Sequence, residues 1–190
     1  MKQVRFRALF IAGLAAALAA TLLGQGDSEV QLGFAIAPVQ LNLQGLNRAL
    51  VGRGSYLVNG VGICARCHTP GGRYLTGGNP FLGQPEVLNT VGYLGGGNVI
   101  GGVNVRNLTP DAQGLPGGLT VEQFIFTIRT GMDLKNLPPT PAPPAVDLLQ
   151  VMPWPDFRKM TDNDLRAIYE YLKAIPCLPG GPGLSPTRCS

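Results

Sequence analysis

The most regular hydrophobic pattern of the chain lies near its C-terminal end. One face carries apolar residues at the i, i+3, i+4, i+7 spacing of an α-helix: Leu165, Ile168, Tyr169 and Leu172. Thr161, with Asp164 three residues on, has the form of an N-terminal capping box, and Pro176 cannot continue a helix. The pattern predicts a helix from Thr161 to Pro176 whose apolar face lies in the core.

Two shorter patterns predict two further helices. From Asn47 to Gly60, apolar residues recur at helical spacing, and Gly54 either permits close packing against another helix or simply weakens this one. A second helix begins at Thr120, where Gln123 completes a capping box, and ends at Gly131. Its predicted buried face consists of Val121, Phe124, Ile125 and Ile128.

The rest of the chain has no clear period. Residues 25–46 predict an extended or mobile N-terminal segment, whereas residues 69–119 and 137–145 are rich in Gly or Pro and predict loops. So much loop is unusual in a compact domain unless a large apolar body lies inside it for the loops to wrap. The sequence therefore predicts an all-α fold of about three main helices with long loops.

The segment "CARCHT" indicates which large apolar body the loops could wrap. Cys64, Cys67 and the chain's only histidine, His68, form a C-x-x-C-H motif. In covalent attachment of c-type haem, two thiols at this spacing add to the porphyrin vinyl groups and the adjacent histidine ligates iron. The motif occurs once, which predicts one covalent haem c.

Two other uses of paired cysteines fit less well. A structural zinc site needs four ligands, and beyond these three residues only Cys177 and Cys189 remain. A thioredoxin-like redox pair should end a strand and open a helix, whereas here a predicted helix leads into the motif and Gly/Pro-rich chain follows.

The N-terminus and the charge distribution indicate compartment and partners. Residues 1–24 carry Lys2, Arg5 and Arg7 before an uncharged run from Ala8 to Leu23, the form of a secretory signal, although an uncleaved membrane anchor remains an alternative. Without these three residues, 12 basic residues face 11 acidic ones. Nearly equal numbers of basic and acidic residues argue against nucleic acid as a partner. We therefore expect an exported, periplasmic protein, with membrane contact only through an uncleaved N-terminus.

A single histidine excludes bis-histidine ligation within this chain, so the sixth iron ligand is a methionine, another weaker ligand, or absent. Beyond the initiator, the methionines are Met132, Met152 and Met160. Met160 precedes the Thr161 cap in the position of a hydrophobic staple, and Met132 follows the end of the middle helix. Met152 lies in "VMPWP", where two prolines stiffen the loop, and a preorganised thioether loses less entropy on binding iron. We predict Met152 as the ligand.

Cys177 and Cys189 flank eleven Gly/Pro-rich residues after the last helix. In an exported chain, a leftover cysteine pair favours a disulfide. We expect it to pin the C-terminal tail (residues 177–190) and to take no part in the redox cycle.

With these residues identified, the chain resembles class I cytochromes c over roughly Gly52 to Pro176. The matching segments are "CARCHT" and "MPWPDFRKMTDNDLRAIYEYLKAIP". As in the mitochondrial type, Met152 precedes the helix-capping Thr161 by nine positions, and Pro80 follows His68 by twelve. The resemblance implies the class I cytochrome c fold in a domain over 47–176, and a Pro80 carbonyl that accepts the imidazole N–H.

Within that class, "NLTPD", "LTVEQFIFTIRTG" and the Met152 segment are most similar to the cytochrome subunits of membrane-associated alcohol and sugar dehydrogenases. Those subunits commonly have three haem modules, whereas this chain has one motif. The resemblance implies a non-enzymatic electron carrier between a dehydrogenase donor and an oxidase or cytochrome acceptor. The alternative is a haem enzyme or gas sensor whose sixth coordination position is open or displaceable.

Overall fold

The computed structural model describes residues 28–134, 148–179 and 188–190. The predicted signal segment, residues 1–24, and the proline-dense stretch, residues 137–145, lie outside these ranges. The helices are α1 (residues 28–35), α2 (Arg48–Ser55), α3 (Ala65–His68), α4 (Val121–Thr130), α5 (Trp154–Phe157) and α6 (Asp162–Ala174). In the described ranges, no helix has both the length and the apolarity needed to cross a membrane.

Short elements complete the described fold. A π-helical turn (Tyr56–Val61) continues α2, and a 3₁₀ turn covers Pro80–Leu82. Strands β1 (Val99–Ile100) and β2 (Val103–Asn104) form an antiparallel hairpin. The prediction of a mainly helical chain is confirmed, but residues 69–119 contain this small sheet, which was not expected.

Helices α2 and α6 form the centre of the core because a glycine lets them approach closely. A β-carbon on Gly54 would lie 1.9 Å from the carbonyl oxygen of Ala167 and 2.7 Å from Cβ of Tyr171. Of the two interpretations of Gly54, close packing is therefore the correct one. The adjoining core is apolar and fully buried at Val51, Val58 and Leu172.

Helix α6 begins and ends close to the predicted positions. Thr161 caps it by accepting the N–H of Asp164 at 3.1 Å, and the Asp164 carboxylate pairs with Nε of Arg53 at 2.6 Å. Burial opposes ionisation of Asp164, but hydrogen bonds from Arg53 and Thr161 outweigh it and hold the pKa of this carboxyl below its usual value. The ion pair between Asp164 and Arg53 thus joins the start of α6 to α2.

Helix α4 also has the predicted caps. Thr120 and Gln123 form both hydrogen bonds of the capping box, and Gly131 ends the helix in the left-handed conformation at φ +75°. Of its four predicted core residues, only Ile128 is fully buried, and the other three are half-buried. Phe124 contacts Tyr169 of α6, with ring centroids 5.7 Å apart.

The prediction of an extended N-terminal segment is wrong for residues 28–35, which form α1. This helix packs on α2 through glycine: a β-carbon on Gly33 would lie 1.8 Å from the carbonyl oxygen of Gly52. The Ser55 hydroxyl donates to the Gly33 carbonyl at 2.6 Å. The apolar period did not reveal α1 because backbone and glycine, rather than large side chains, form its contact.

A buried hydrogen-bond network fixes the long loop to this core. The Tyr93 hydroxyl donates to Oδ1 of Asn59 at 2.5 Å and lies 2.9 Å from the Tyr171 hydroxyl. Burial raises the pKa of Tyr93 well above its ordinary value, so the hydroxyl stays protonated. Loop 69–119 is thereby held against α6 and the π-helical turn that continues α2.

The predicted disulfide between Cys177 and Cys189 is present, with Cα atoms 5.8 Å apart. It joins the end of the core to the last residues of the chain. Its S–S bond uses both of the cysteines that a zinc site would have required.

We expect Gly54→Ala to lower the free energy of unfolding by roughly 1–3 kcal/mol, because the added methyl group would collide with the α6 backbone. Gly60→Ala is the matched control, since the nearest atom to its β-carbon is 3.4 Å away. Urea unfolding measures both variants. Equal stability of the two would contradict the packing of α2 on α6.

Candidate cofactor site

A short helical turn presents the three residues of the C-x-x-C-H motif. Cys64 caps α3, and the His68 N–H donates to the Cys64 carbonyl at 3.0 Å. Before them, Ile63 has φ +47°, a conformation that a β-branched residue adopts only where the surrounding structure imposes it. This change of direction separates α3 from the preceding π-helical turn.

Both motif cysteines are free thiols and half-buried. Burial raises the pKa of the Cys64 thiol to about 11, so this group is protonated at neutral pH. In the described ranges, no group of three or more Cys, His, Asp or Glu side chains is placed to hold a metal ion.

The His68 ring has a defined tautomer. Its Nδ1 lies 2.8 Å from the carbonyl oxygen of Arg106. Because a carbonyl can only accept, Nδ1 carries the proton and donates it, and Nε2 keeps its lone pair. Burial lowers the pKa of His68, although the Arg106 carbonyl partly opposes this, so the ring is neutral at pH 7. A neutral imidazole with a free Nε2 is the form that ligates a metal.

The prediction that the Pro80 carbonyl accepts this N–H is wrong. Pro80 is exposed and opens the 3₁₀ turn, and its carbonyl accepts the N–H of Gly83 at 3.0 Å within that turn. The acceptor beside His68 comes instead from Arg106, 38 residues further along the chain. The twelve-residue spacing does not apply, because loop 69–119 brings a different carbonyl to the ring.

Gly96 holds the Arg106 carbonyl in place. Its N–H donates to the His68 carbonyl at 2.7 Å, and its φ is +71°. A β-carbon on Gly96 would lie 2.4 Å from the carbonyl carbon of Arg106 and from the nitrogen of Asn107. The Arg106 side chain pairs with the largely buried carboxylate of Asp133, just after α4. Gly96 therefore contacts two backbone groups: the His68 carbonyl, through its N–H, and the Arg106–Asn107 peptide.

The three candidate methionines lie in different local structures. Met152 is half-buried, and its carbonyl accepts the Trp154 N–H at 2.8 Å where the chain enters α5. Trp154 packs over Gly131, so that a β-carbon there would lie 2.3 Å from the indole. Met132 pairs with Leu148 in an isolated bridge, and Met160 directly precedes Thr161. The loop of Met152 is therefore tied to the end of α4, and the choice of Met152 stays a prediction.

The loops following the motif expose large apolar side chains: Leu75, Phe81, Leu82, Val91 and Val99. Arg66, within the motif, lies over the Phe81 ring at 5.5 Å. An apolar group bound beside the motif would gain contact area here. Two free thiols, a neutral imidazole with Nε2 available and nearby apolar loops fit a covalently attached haem, which Cys64, Cys67 and His68 would hold.

Comparison with known proteins identifies relatives. The chain is 29% identical over 128 residues to the cytochrome c subunit of the quinone alcohol dehydrogenase of Gluconobacter oxydans (strain 621H). It is 30% identical over 125 residues to the gluconate 2-dehydrogenase cytochrome c subunit of Pantoea cypripedii. It is 27% identical over 128 residues to the fructose dehydrogenase cytochrome subunit of Gluconobacter japonicus. No protein-family model and no solved structure matches the chain.

These alignments cover 67%, 66% and 66% of the chain but only 22%, 23% and 21% of the relatives. The chain thus spans about a fifth of the length of the curated relatives that it matches. Two thirds of it is homologous to cytochromes c, the class that the attachment motif indicates. Within that class, its relatives are cytochrome subunits of alcohol, gluconate and fructose dehydrogenases, which confirms the resemblance seen in the sequence.

Sequence reasoning missed Arg106 and Gly96. Arg106 acts through its backbone carbonyl, which carries no side-chain signature. Gly96 is one of three consecutive glycines, and only the φ angle and the neighbouring peptide distinguish it from Gly97. Only the resemblance of the adjoining "NLTPD" to dehydrogenase cytochrome subunits points to this part of the chain.

We expect Gly96→Ala to break the hydrogen bond between His68 and Arg106, because the methyl group would displace the Arg106–Asn107 peptide. Gly97→Ala is the matched control: it imposes the same left-handed strain at φ +86° but meets no atom within 4 Å. Nitrogen NMR of the imidazole should show loss of the fixed Nδ1–H tautomer in the first variant only. The same loss in both would assign the effect to backbone strain.

Proposed function

We propose that this protein is an electron-transfer protein with one covalent haem c. Cys64 and Cys67 form the thioethers, His68 supplies the proximal ligand and Met152 the distal one. The observation that carries the proposal is the His68 ring, whose Nδ1–H donates to Arg106 and whose Nε2 keeps its lone pair. No other histidine exists in the chain to serve instead.

The haem iron, when bound, supplies reversible one-electron transfer, and the polypeptide sets the conditions for it. The His68–Arg106 hydrogen bond fixes the ring orientation and raises the basicity of Nε2, as an outer-shell acceptor does for metal-bound histidines. Gly96 donates to the His68 carbonyl and packs on the Arg106–Asn107 peptide, so it keeps these two backbone segments next to each other. A rigid ligand set suits electron transfer because little has to reorganise between the two oxidation states.

Met152 is the proposed sixth ligand because its loop is held from two sides. The Trp154 N–H donates to the Met152 carbonyl, and the indole packs on Gly131 at the end of α4. Pro153 and Pro155 restrict the backbone further. A thioether on iron stabilises the ferrous state and raises the reduction potential.

The relatives suggest the electron donor. All three are named as cytochrome subunits of dehydrogenases, so we propose a dehydrogenase as donor and an oxidase or another cytochrome as acceptor. The signal-like residues 1–24 support an extracytoplasmic location, in solution or tethered through that segment. The near balance of charge outside it favours transient docking over long-range steering.

The double variant Cys64→Ala, Cys67→Ala tests covalent attachment. We expect the wild-type band on a denaturing gel to stain for haem peroxidase activity and the variant band to remain dark, because no other thiols occupy an attachment motif. Cys177→Ser with Cys189→Ser is the control with two cysteines changed, and it should stain like the wild type. Staining of the Cys64/Cys67 variant would refute attachment at this site.

Replacement of Met152 by alanine tests the sixth ligand. We expect Met152→Ala to abolish the sulfur-to-iron charge-transfer band of the ferric protein and to lower its reduction potential. Met160→Leu, a volume-conserving control, should change neither. A band that survives in Met152→Ala but disappears in Met132→Leu or Met160→Leu would reassign the ligand. Absence of the band from the wild type would favour an open sixth position, as in a haem enzyme or gas sensor.

A further inference from the structure

The disulfide-closed tail contacts one particular segment of the loop region. Next to Cys177, the Leu178 N–H donates to Oγ1 of Thr109 at 3.1 Å, and Nδ2 of Asn107 donates to the Leu178 carbonyl at 3.2 Å. Next to Cys189, Nη2 of Arg188 donates to the Thr109 carbonyl at 2.5 Å. The Ala112 N–H donates to the Arg188 carbonyl at 2.8 Å. Both sides of the disulfide therefore hold residues 107–112.

This segment is buried around Asn107 and Thr109, and it directly follows Arg106. Asn107 and Thr109 are 3% and 0% exposed, and Oδ1 of Asn107 accepts hydrogen bonds from both the N–H and the hydroxyl of Thr109. On its other side, the Arg106–Asn107 peptide packs against Gly96. A shift of Asn107 would therefore be passed to the Arg106 carbonyl, because the peptide has no room to move towards Gly96.

We propose that the disulfide-closed tail is a positioning element for His68: through Leu178 and Arg188 it fixes residues 107–112 and so keeps the Arg106 carbonyl on Nδ1 of the ring. This role rests on the proposed function of His68 as an iron ligand. It goes beyond the stabilising role expected from the sequence, because it couples the tail to the basicity of the ligand.

The disulfide is needed for this contact because the Arg188 position is not favourable by itself. Nε of Arg188 is buried and has no hydrogen-bond partner among the described residues. Burial lowers the pKa of the guanidinium, and Asp111 only partly opposes this. Once Cys189 is bonded to Cys177, Arg188 is confined near Thr109 and the cost of ordering the tail falls.

The test compares haem-loaded wild type with Arg188→Ala, Thr109→Val, and Cys177→Ser with Cys189→Ser. Arg166→Ala is the matched control, because Arg166 is exposed on α6. The readouts are the reduction potential and, by NMR of the ferrous protein, solvent exchange of the His68 Nδ1 proton. Exchange of the amides of Val58 and Leu172 reports the α2–α6 core separately.

We expect Arg188→Ala and the double cysteine variant to raise the reduction potential, since a weaker Nδ1–H bond makes the imidazole a poorer donor to ferric iron. Exchange of the Nδ1 proton should accelerate roughly fivefold, the factor for loss of one ordinary hydrogen bond, while core amides change little. Thr109→Val should act in the same direction with the disulfide intact.

Wild-type potential and Nδ1 exchange in these variants would overturn the proposal and leave the tail a stabilising role only. Equal acceleration at Nδ1 and at the core amides would also overturn it, because that result means global destabilisation. Failure of the proposed function is recognised separately: in that case the wild-type protein itself carries no covalent haem.

Discussion

The hydrogen bond between Nδ1 of His68 and the Arg106 carbonyl is the interaction on which the site depends. It joins the cysteine motif on α3 to a segment 38 residues away and decides which ring nitrogen keeps its lone pair. Loop 69–119 must therefore fold back over the motif so that the Arg106 carbonyl lies within hydrogen-bond distance of the His68 ring. The Asn59–Tyr93–Tyr171 network fixes the loop to the core, and Gly96 lets its far end approach His68.

Glycine permits three close approaches between backbone segments in the described fold. Gly33 meets Gly52 where α1 crosses α2, Gly54 meets Ala167 where α2 crosses α6, and Gly96 meets the Arg106 peptide. At all three, backbone rather than side chain forms the contact. This places α2, and the π-helical turn that follows it, firmly between α1 and α6, so the motif begins from a well-fixed helix.

Elements whose signals lie in side chains could be predicted from the sequence. Thr120, Gln123 and Gly131 specify both ends of α4, and Thr161 specifies the start of α6. The C-x-x-C-H motif and the Cys177–Cys189 disulfide could likewise be identified from residue type and spacing. Helix α1, Arg106 and Gly96 could not, because their roles rest on backbone contacts between distant segments. The expectation for Pro80 differs from the structure because the Arg106 carbonyl lies at Nδ1 of His68, whereas the Pro80 carbonyl accepts the Gly83 N–H.

The alignments cover only 21–23% of the relatives, so their activity as dehydrogenase subunits is not transferred to this chain directly. What is shared with these cytochrome c subunits is a region of 125 to 128 aligned residues. The central claim concerns this region alone: Cys64, Cys67 and His68 form an attachment site for one haem, with the ring already in the tautomer that iron requires.

Intact-mass analysis of the protein, produced under conditions of haem attachment and followed by sequencing of its proteolytic peptides, tests this claim most directly. The account predicts a mass that exceeds the polypeptide by one haem, with the added mass on the peptide that contains Cys64 and Cys67. A protein secreted and folded under conditions of haem attachment that has only the mass of its polypeptide, with both thiols open to alkylation, would contradict it.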